Sequence, residues 1–218
     1  MRVLSQVLSE FRGLWQAGAG VSLLLGVSLS LQNPVTSLRP ALGGPWAVAA
    51  YVGVTATFAA TTVVFLLGAY TAIEDAYAAV YHRLLVYPIS LQTALLVRTA
   101  PVALWATVAA ATVATGLWLA TPGLAVWQAV VPVAVVAAAT LPLAVLVTLL
   151  YLRVRRPRVG SAMLFAALVA VVSIPRRVGV GTGRSAPAVA AVVSLALASL
   201  VCAASLAVTR LDREQLVL

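Results

Sequence analysis

Trp46 to Tyr70 reads WAVAAYVGVTATFAATTVVFLLGAY, and this run decides the fold. It contains no charged residue, and it exceeds the roughly 20 apolar residues a helix needs to cross the hydrocarbon core of a bilayer. Tryptophan and tyrosine bracket it, as expected where side chains settle at headgroup level. The rest of the chain has the same character. Of 218 residues, 63% are hydrophobic and 9% charged, with a mean hydropathy of +1.08, whereas a soluble domain carries about 25% charged residues. The expected fold class is an all-α integral membrane protein, one transmembrane domain over residues 1–218 with no space for a large soluble domain.

Working outward from Trp46, the preceding chain divides in two. Within residues 1–15, Val3, Leu4, Val7, Leu8, Phe11, Leu14 and Trp15 alternate at helical spacing with Ser5, Gln6, Ser9, Glu10 and Arg12. This predicts an amphipathic helix lying in the interface. Gly13, Gly18 and Gly20 are expected to loosen the chain before a first span from about Ala17 to Leu31, closed by Asn33-Pro34 and Arg39-Pro40. A basic start, an apolar stretch and Ser28-Leu29-Ser30 also match a signal-peptide pattern, but the amphipathic lead is too long for one.

Downstream, the third span is expected from about Arg98 to Ala120 and the fourth from about Trp127 to Tyr151, with Thr121-Pro122-Gly123 turning between them as a tight antiparallel pair. A basic run, Arg153, Arg155, Arg156 and Arg158, follows as a membrane anchor or, alternatively, a binding site for anionic membrane lipid. The next apolar stretch, 160–174, covers only about 22 Å as a helix and must thin the bilayer or re-enter. Ala186 to Val208 completes about six spans, with Cys202 read as a small apolar filler. Ten arginines then fall on one side and four on the other. By the positive-inside rule both termini face the cytoplasm, in the plasma or inner membrane.

The composition excludes several chemistries. All fourteen basic residues are arginine, so no lysine is present for a P-loop or a Schiff base. One Cys, one His and five acidic residues provide neither a first-shell metal site nor an intrachain disulfide. No acidic residue lies between Asp75 and Asp212, which leaves the later spans without the carboxylate that ion-coupled transport uses. Gly179, Gly181 and Gly183 lack the spacing and the preceding strand of a dinucleotide-binding turn and read as a flexible loop. The chain is not expected to be an enzyme or to hold a cofactor of its own.

The most polar internal stretch is 71–90, TAIEDAYAAVYHRLLVYPIS. Apolar residues recur at three and four from Ala72 to Leu85, so a cytoplasmic amphipathic helix ended by Pro88 is expected. Glu74 and Asp75 would occupy its first turn and His82 and Arg83 its last, where the helix dipole favours each sign. One reading makes these charges simple caps on a solvated helix, and the other makes them a docking surface for a partner.

An acidic residue followed by Leu84-Leu85-x-x-Pro88-Ile89-Ser90, between spans two and three of about six, resembles the permease subunits of type-2 ATP-binding-cassette exporters. The signature covers about twenty residues, and it departs from the family where Ala79, Val80 and His82 stand in place of Gly-Thr and a second Glu. The length and compact loops are similar to the haem exporter B subgroup, although no external His is present to touch haem iron. The resemblance implies a coupling helix formed by Glu74, Asp75, His82, Arg83, Leu84, Leu85, Pro88, Ile89 and Ser90. It also implies a cytoplasmic ATPase subunit that holds ATP and magnesium, and a second permease copy or paralogue. The substrate would be apolar or amphipathic, since the spans are expected to offer Thr, Ser, Trp and Tyr but no charge to hold a polar solute. The alternatives are a non-transporting assembly or scaffold subunit, for which abundant Ala and Gly would permit close helix packing, and a small secondary transporter.

Overall fold

A computed structural model describes residues 12–32, 45–78, 91–153, 199, 201–206 and 208. Four long helices follow one another within them: α1 (Arg12–Gln32), α2 (Pro45–Ala78), α3 (Leu91–Ala120) and α4 (Val126–Arg153). Short helical pieces lie at 199, 201–206 and 208. Residues 1–11 of the expected lead helix 1–15, the short apolar stretch 160–174 and the glycine-rich loop lie outside the described residues, and residues 12–15 of that lead belong to α1. Three of the helices, over Val48–Thr71, Leu95–Ala120 and Val126–Tyr151, are long and apolar enough to cross a membrane. An apolar segment of α1, Gln16–Leu29, is shorter.

Contacts between small residues set the helix directions. A Cβ on Gly53 would lie 3.3 Å from Pro132 Cβ, and one on Gly68 would lie 3.1 Å from Val147 Cγ1. Both numbers rise together, so α2 and α4 run parallel. In α1, Ser22 Oγ donates to Trp105 O at 2.9 Å, and further along Gly26 abuts Thr112, so α1 runs parallel to α3. The hairpin between α3 and α4 makes those two antiparallel, and their Thr107 and Thr140 hydroxyls meet at 3.1 Å. The four helices therefore alternate in direction along the chain. Helices α2, α3 and α4 enclose the core, which includes Val52, Val63, Val113 and Leu117, all fully buried, and α1 packs chiefly on α3.

The hydroxyls suit a medium without water. Thr55, Thr57, Thr62, Thr71, Thr99, Thr107, Thr112 and Thr140 each donate to a carbonyl three or four residues earlier in their own helix, at 2.7 to 3.0 Å. Such back-bonding removes the penalty for a polar side chain in hydrocarbon. Pro101, Pro132 and Pro142 lie inside α3 and α4, and the helices continue through all three.

The aromatic residues mark two levels. Trp46 and Trp127 meet in a tilted contact, ring centroids 4.8 Å apart and planes at 55°, and Trp118 Nε1 donates to Leu124 O at 3.1 Å. All three tryptophans are exposed and share one end of the bundle, while Tyr70 and Tyr151 mark the other. Twenty-four residues separate the markers on both α2 and α4, about 36 Å at 1.5 Å per residue. This spans a hydrocarbon core of about 30 Å together with the start of each headgroup layer.

Two expected boundaries move. The glycines of α1 do not loosen the chain, because Gly13, Gly18 and Gly20 all lie within one continuous helix. Gly18 instead faces Trp105 so closely that a Cβ would collide with the indole, and at Gly26 a Cβ would come within 2.6 Å of the Thr112 side chain. With Ser22, these residues form a small-residue face four positions apart that lets α1 approach α3. Secondly, 71–78 opens no separate helix and prolongs α2. Cys202, expected to fill the packed interior, is exposed, and its neighbour Ala204 packs with Leu95 and Val145.

Candidate functional site

The tyrosine end of the bundle gathers the polar groups. Thr71 of α2, Arg98 and Thr99 of α3, and Thr148 of α4 are each at most 2% exposed. The register brings them to one level. Thr107 lies opposite Thr140, so Arg98, nine residues earlier on the antiparallel helix, is level with position 149 of α4. The Gly68 to Val147 contact places position 70 of α2 at that same height. Arg98 is also about 30 Å from Trp118 along α3, so it lies at the tyrosine-side boundary of the hydrocarbon.

Arg98 alters the expectation drawn from charge counting. Grouped with the arginines that anchor the chain to one face, it is enclosed by the bundle. The helix expected from about Arg98 begins at Leu91, which places Arg98 two turns inside. The sequence carried a signal for this, because Arg98 is the one charged residue between Arg83 and Arg153. A charge standing alone in seventy residues is a candidate for a buried functional group.

The expected coupling residues divide. Glu74 and Asp75 lie in the backbone of α2, a helix that starts at Pro45. They therefore stand far from the start of the helix and not in a first turn, where the helix dipole would favour them. His82, Arg83, Leu84, Leu85, Pro88, Ile89 and Ser90 lie outside the described residues.

The tryptophan end is tied differently. Gln128 is 6% exposed, its Oε1 accepts from Ala125 N at 2.9 Å and its Nε2 donates to Pro45 O at 2.8 Å. One side chain thus caps the start of α4 and fastens it to the start of α2. Between α1 and α3 at this end runs an open groove of about 410 Å³, lined by Val27, Val108, Ala111, Thr112, Thr115, Gly116 and Leu119. Its walls are mainly apolar. Among the described residues no cluster of His, Cys, Asp or Glu forms a metal centre.

These features define an all-helical protein built from long apolar helices of membrane-crossing length, with a buried arginine layer at one end and an aromatic lock at the other. No protein-family model, curated protein or solved structure matches the chain.

Proposed function

We propose that the chain is the membrane-spanning permease subunit of an ATP-binding-cassette exporter, without its own ATPase, working with a separate cytoplasmic nucleotide-binding subunit and a second permease copy or paralogue. The observation that carries this reading is the continuity of α2, which runs unbroken from Trp46 past Tyr70 to Glu74 and Asp75. A helix that leaves the hydrocarbon without a break transmits displacement of its free end into the bundle, as a coupling element must. In this reading the tyrosine end faces the cytoplasm of the plasma or inner membrane, both termini share that side, and about six spans complete the permease. The substrate is apolar or amphipathic, in keeping with the apolar walls of the α1–α3 groove. Transport then follows from a two-state rocking of the permease halves that ATP binding biases.

The test is the double substitution Leu84→Ala with Leu85→Ala in the assembled complex. The coupling reading expects the ATPase subunit still to copurify and to hydrolyse ATP while transport stops. Unchanged transport removes the main support for an exporter. A second reading, a non-transporting assembly subunit, is favoured by the close fit of α1 on Trp105 and Thr112, and it predicts that no ATPase copurifies with the detergent-extracted chain.

A further inference from the structure

We infer that the groove between α1 and α3 seats one acyl chain of a phospholipid from the leaflet at the tryptophan end, with Thr115 holding the carbonyl that joins the chain to the headgroup. The inference rests on α3 crossing a bilayer and not on the exporter reading, and its test uses neither ATP nor transport.

The level and length of the groove match one leaflet. On α3 its wall runs from Val108 to Leu119. Val108 is ten residues from Arg98 and ten from Trp118, so it lies midway between the two boundaries of the hydrocarbon, and Leu119 lies just past the boundary on the tryptophan side. Eleven residues of helix cover about 16 Å, and half of a hydrocarbon core is about 15 Å. The groove also opens sideways. Val27 on one wall and Thr115 and Leu119 on the other are exposed, so a chain enters from the bilayer without passing through the bundle.

Width selects the occupant. All the open space in and above the groove amounts to about 720 Å³, which spread over about 16 Å of helix leaves a channel of roughly 45 Å² in section, about 7.5 Å across. A helix with its side chains is about 10 to 12 Å across, so a span of a second copy does not seat in it. A methylene chain is one carbon wide and keeps about 4 Å from the carbons of each wall, so one chain fits. Chemistry then fixes the head of that chain. Thr112 on the groove wall donates to Val108 O at 2.8 Å, but Thr115 makes no hydrogen bond among the described residues. It lies three residues, about 4.5 Å, inside the level of Trp118, close to where ester carbonyls meet the hydrocarbon. A hydroxyl exposed to acyl chains alone has lost water without gaining an acceptor, and a lipid ester supplies one.

The test uses the full-length chain in phosphatidylcholine vesicles that contain a minor share of phosphatidylcholine with a photoactivatable diazirine midway along one acyl chain, and adducts are mapped by mass spectrometry. Adducts should concentrate on Val108–Leu119 relative to the exposed face of α4 that carries Val130, Val131 and Leu141. Ala111→Phe, which fills the groove, should bring the α3 adducts down to the α4 level while the α4 adducts persist. Thr115→Val keeps the shape and removes the donor, so it should lower the α3 adducts by about two- to tenfold, the worth of one hydrogen bond, and Thr115→Ser should restore them. Because Thr115 is exposed, this second comparison does not depend on whether the Ala111→Phe chain folds. The same diazirine carried on free palmitate should label the two faces alike. Equal labelling of α3 and α4 by the phospholipid, unchanged labelling in Thr115→Val, or preference for the groove by palmitate and not by the phospholipid overturns the assignment. So does a groove free of adducts in which Thr115→Cys, placed in a Cys202→Ser chain, cross-links to the same position of a second copy.

Discussion

Gly20 and Gly26 lie less than two turns apart on α1, yet their environments are opposite. A Cβ on Gly20 meets nothing within 4 Å, whereas one on Gly26 meets Thr112 at 2.6 Å and has the Ala109 carbonyl behind it. Gly26→Ala should therefore force α1 away from α3, at the roughly 1 to 3 kcal/mol typical of overpacking. Gly20→Ala should be neutral or gain up to about 1 kcal/mol from helix propensity. Thermal midpoints of the detergent-extracted variants give the comparison, and a Gly20→Ala variant less stable than Gly26→Ala would mean that α1 is not seated on α3 by this face. Gln128 offers a second contrast. Gln128→Leu removes the hydrogen bonds to the Ala125 N–H and the Pro45 carbonyl together, a loss of about 0.5 to 1.5 kcal/mol for each. Gln128→Glu keeps an acceptor for Ala125 and loses only the donor to Pro45, so its midpoint should fall between those of wild type and Gln128→Leu.

Among the elements, the α3–α4 hairpin was the most legible in sequence, because Thr121-Pro122-Gly123 interrupts two long apolar runs with residues that cannot continue a helix. Gly123 takes φ 79°, a conformation that costs a side chain about 1 to 2 kcal/mol. Gly123→Ala should lower the midpoint by that order, and Gly123→Asn, which tolerates the left-handed region, should lose less; equal stability of all three would show that the turn relaxes freely. The spans Trp46 to Tyr70 and Trp127 to Tyr151 were legible for a related reason, since length, apolarity and terminal aromatics all report bilayer thickness. The end of α2 was not. Thr71 to Ala78 is polar enough to read as a new amphipathic element, and nothing local to the sequence distinguishes a helix that starts at Thr71 from one that simply continues. The burial of Arg98 and the tie made by Gln128 were hidden too, because each depends on which helices are neighbours, and periodicity along one helix carries no such information.

For the molecule as a whole, the argument turns on which end faces which compartment. Gln92 is exposed in the first turn of α3, and Gly123 is exposed in the turn just beyond its last. Thirty-one residues separate them, about 46 Å if helical throughout, more than the roughly 30 Å of hydrocarbon. If α3 crosses the membrane, a membrane-impermeant thiol reagent applied to intact cells must reach a cysteine at one of these positions and not at the other. Cys202→Ser removes the single native cysteine and supplies the background. The arginine distribution, ten against four, selects the direction: Gly123→Cys should be labelled and Gln92→Cys protected until the membrane is opened. Ser37→Cys, in the segment joining α1 to α2, should behave as Gly123→Cys does, because those helices meet that segment at the tryptophan end. Labelling of Gln92→Cys alone would reverse the orientation and remove Glu74 and Asp75 from the reach of any cytoplasmic ATPase, which the exporter reading does not survive. Labelling of both Gln92→Cys and Gly123→Cys would mean that α3 does not span at all. Gly181→Cys carries the test beyond the four helices. If it is labelled with Gly123→Cys, the stretch 160–174 crosses and six spans stand; if it stays protected, that stretch re-enters, Arg176, Arg177 and Arg184 come to the cytoplasmic side, and Arg210 and Arg213 beyond the last span pass to the outside.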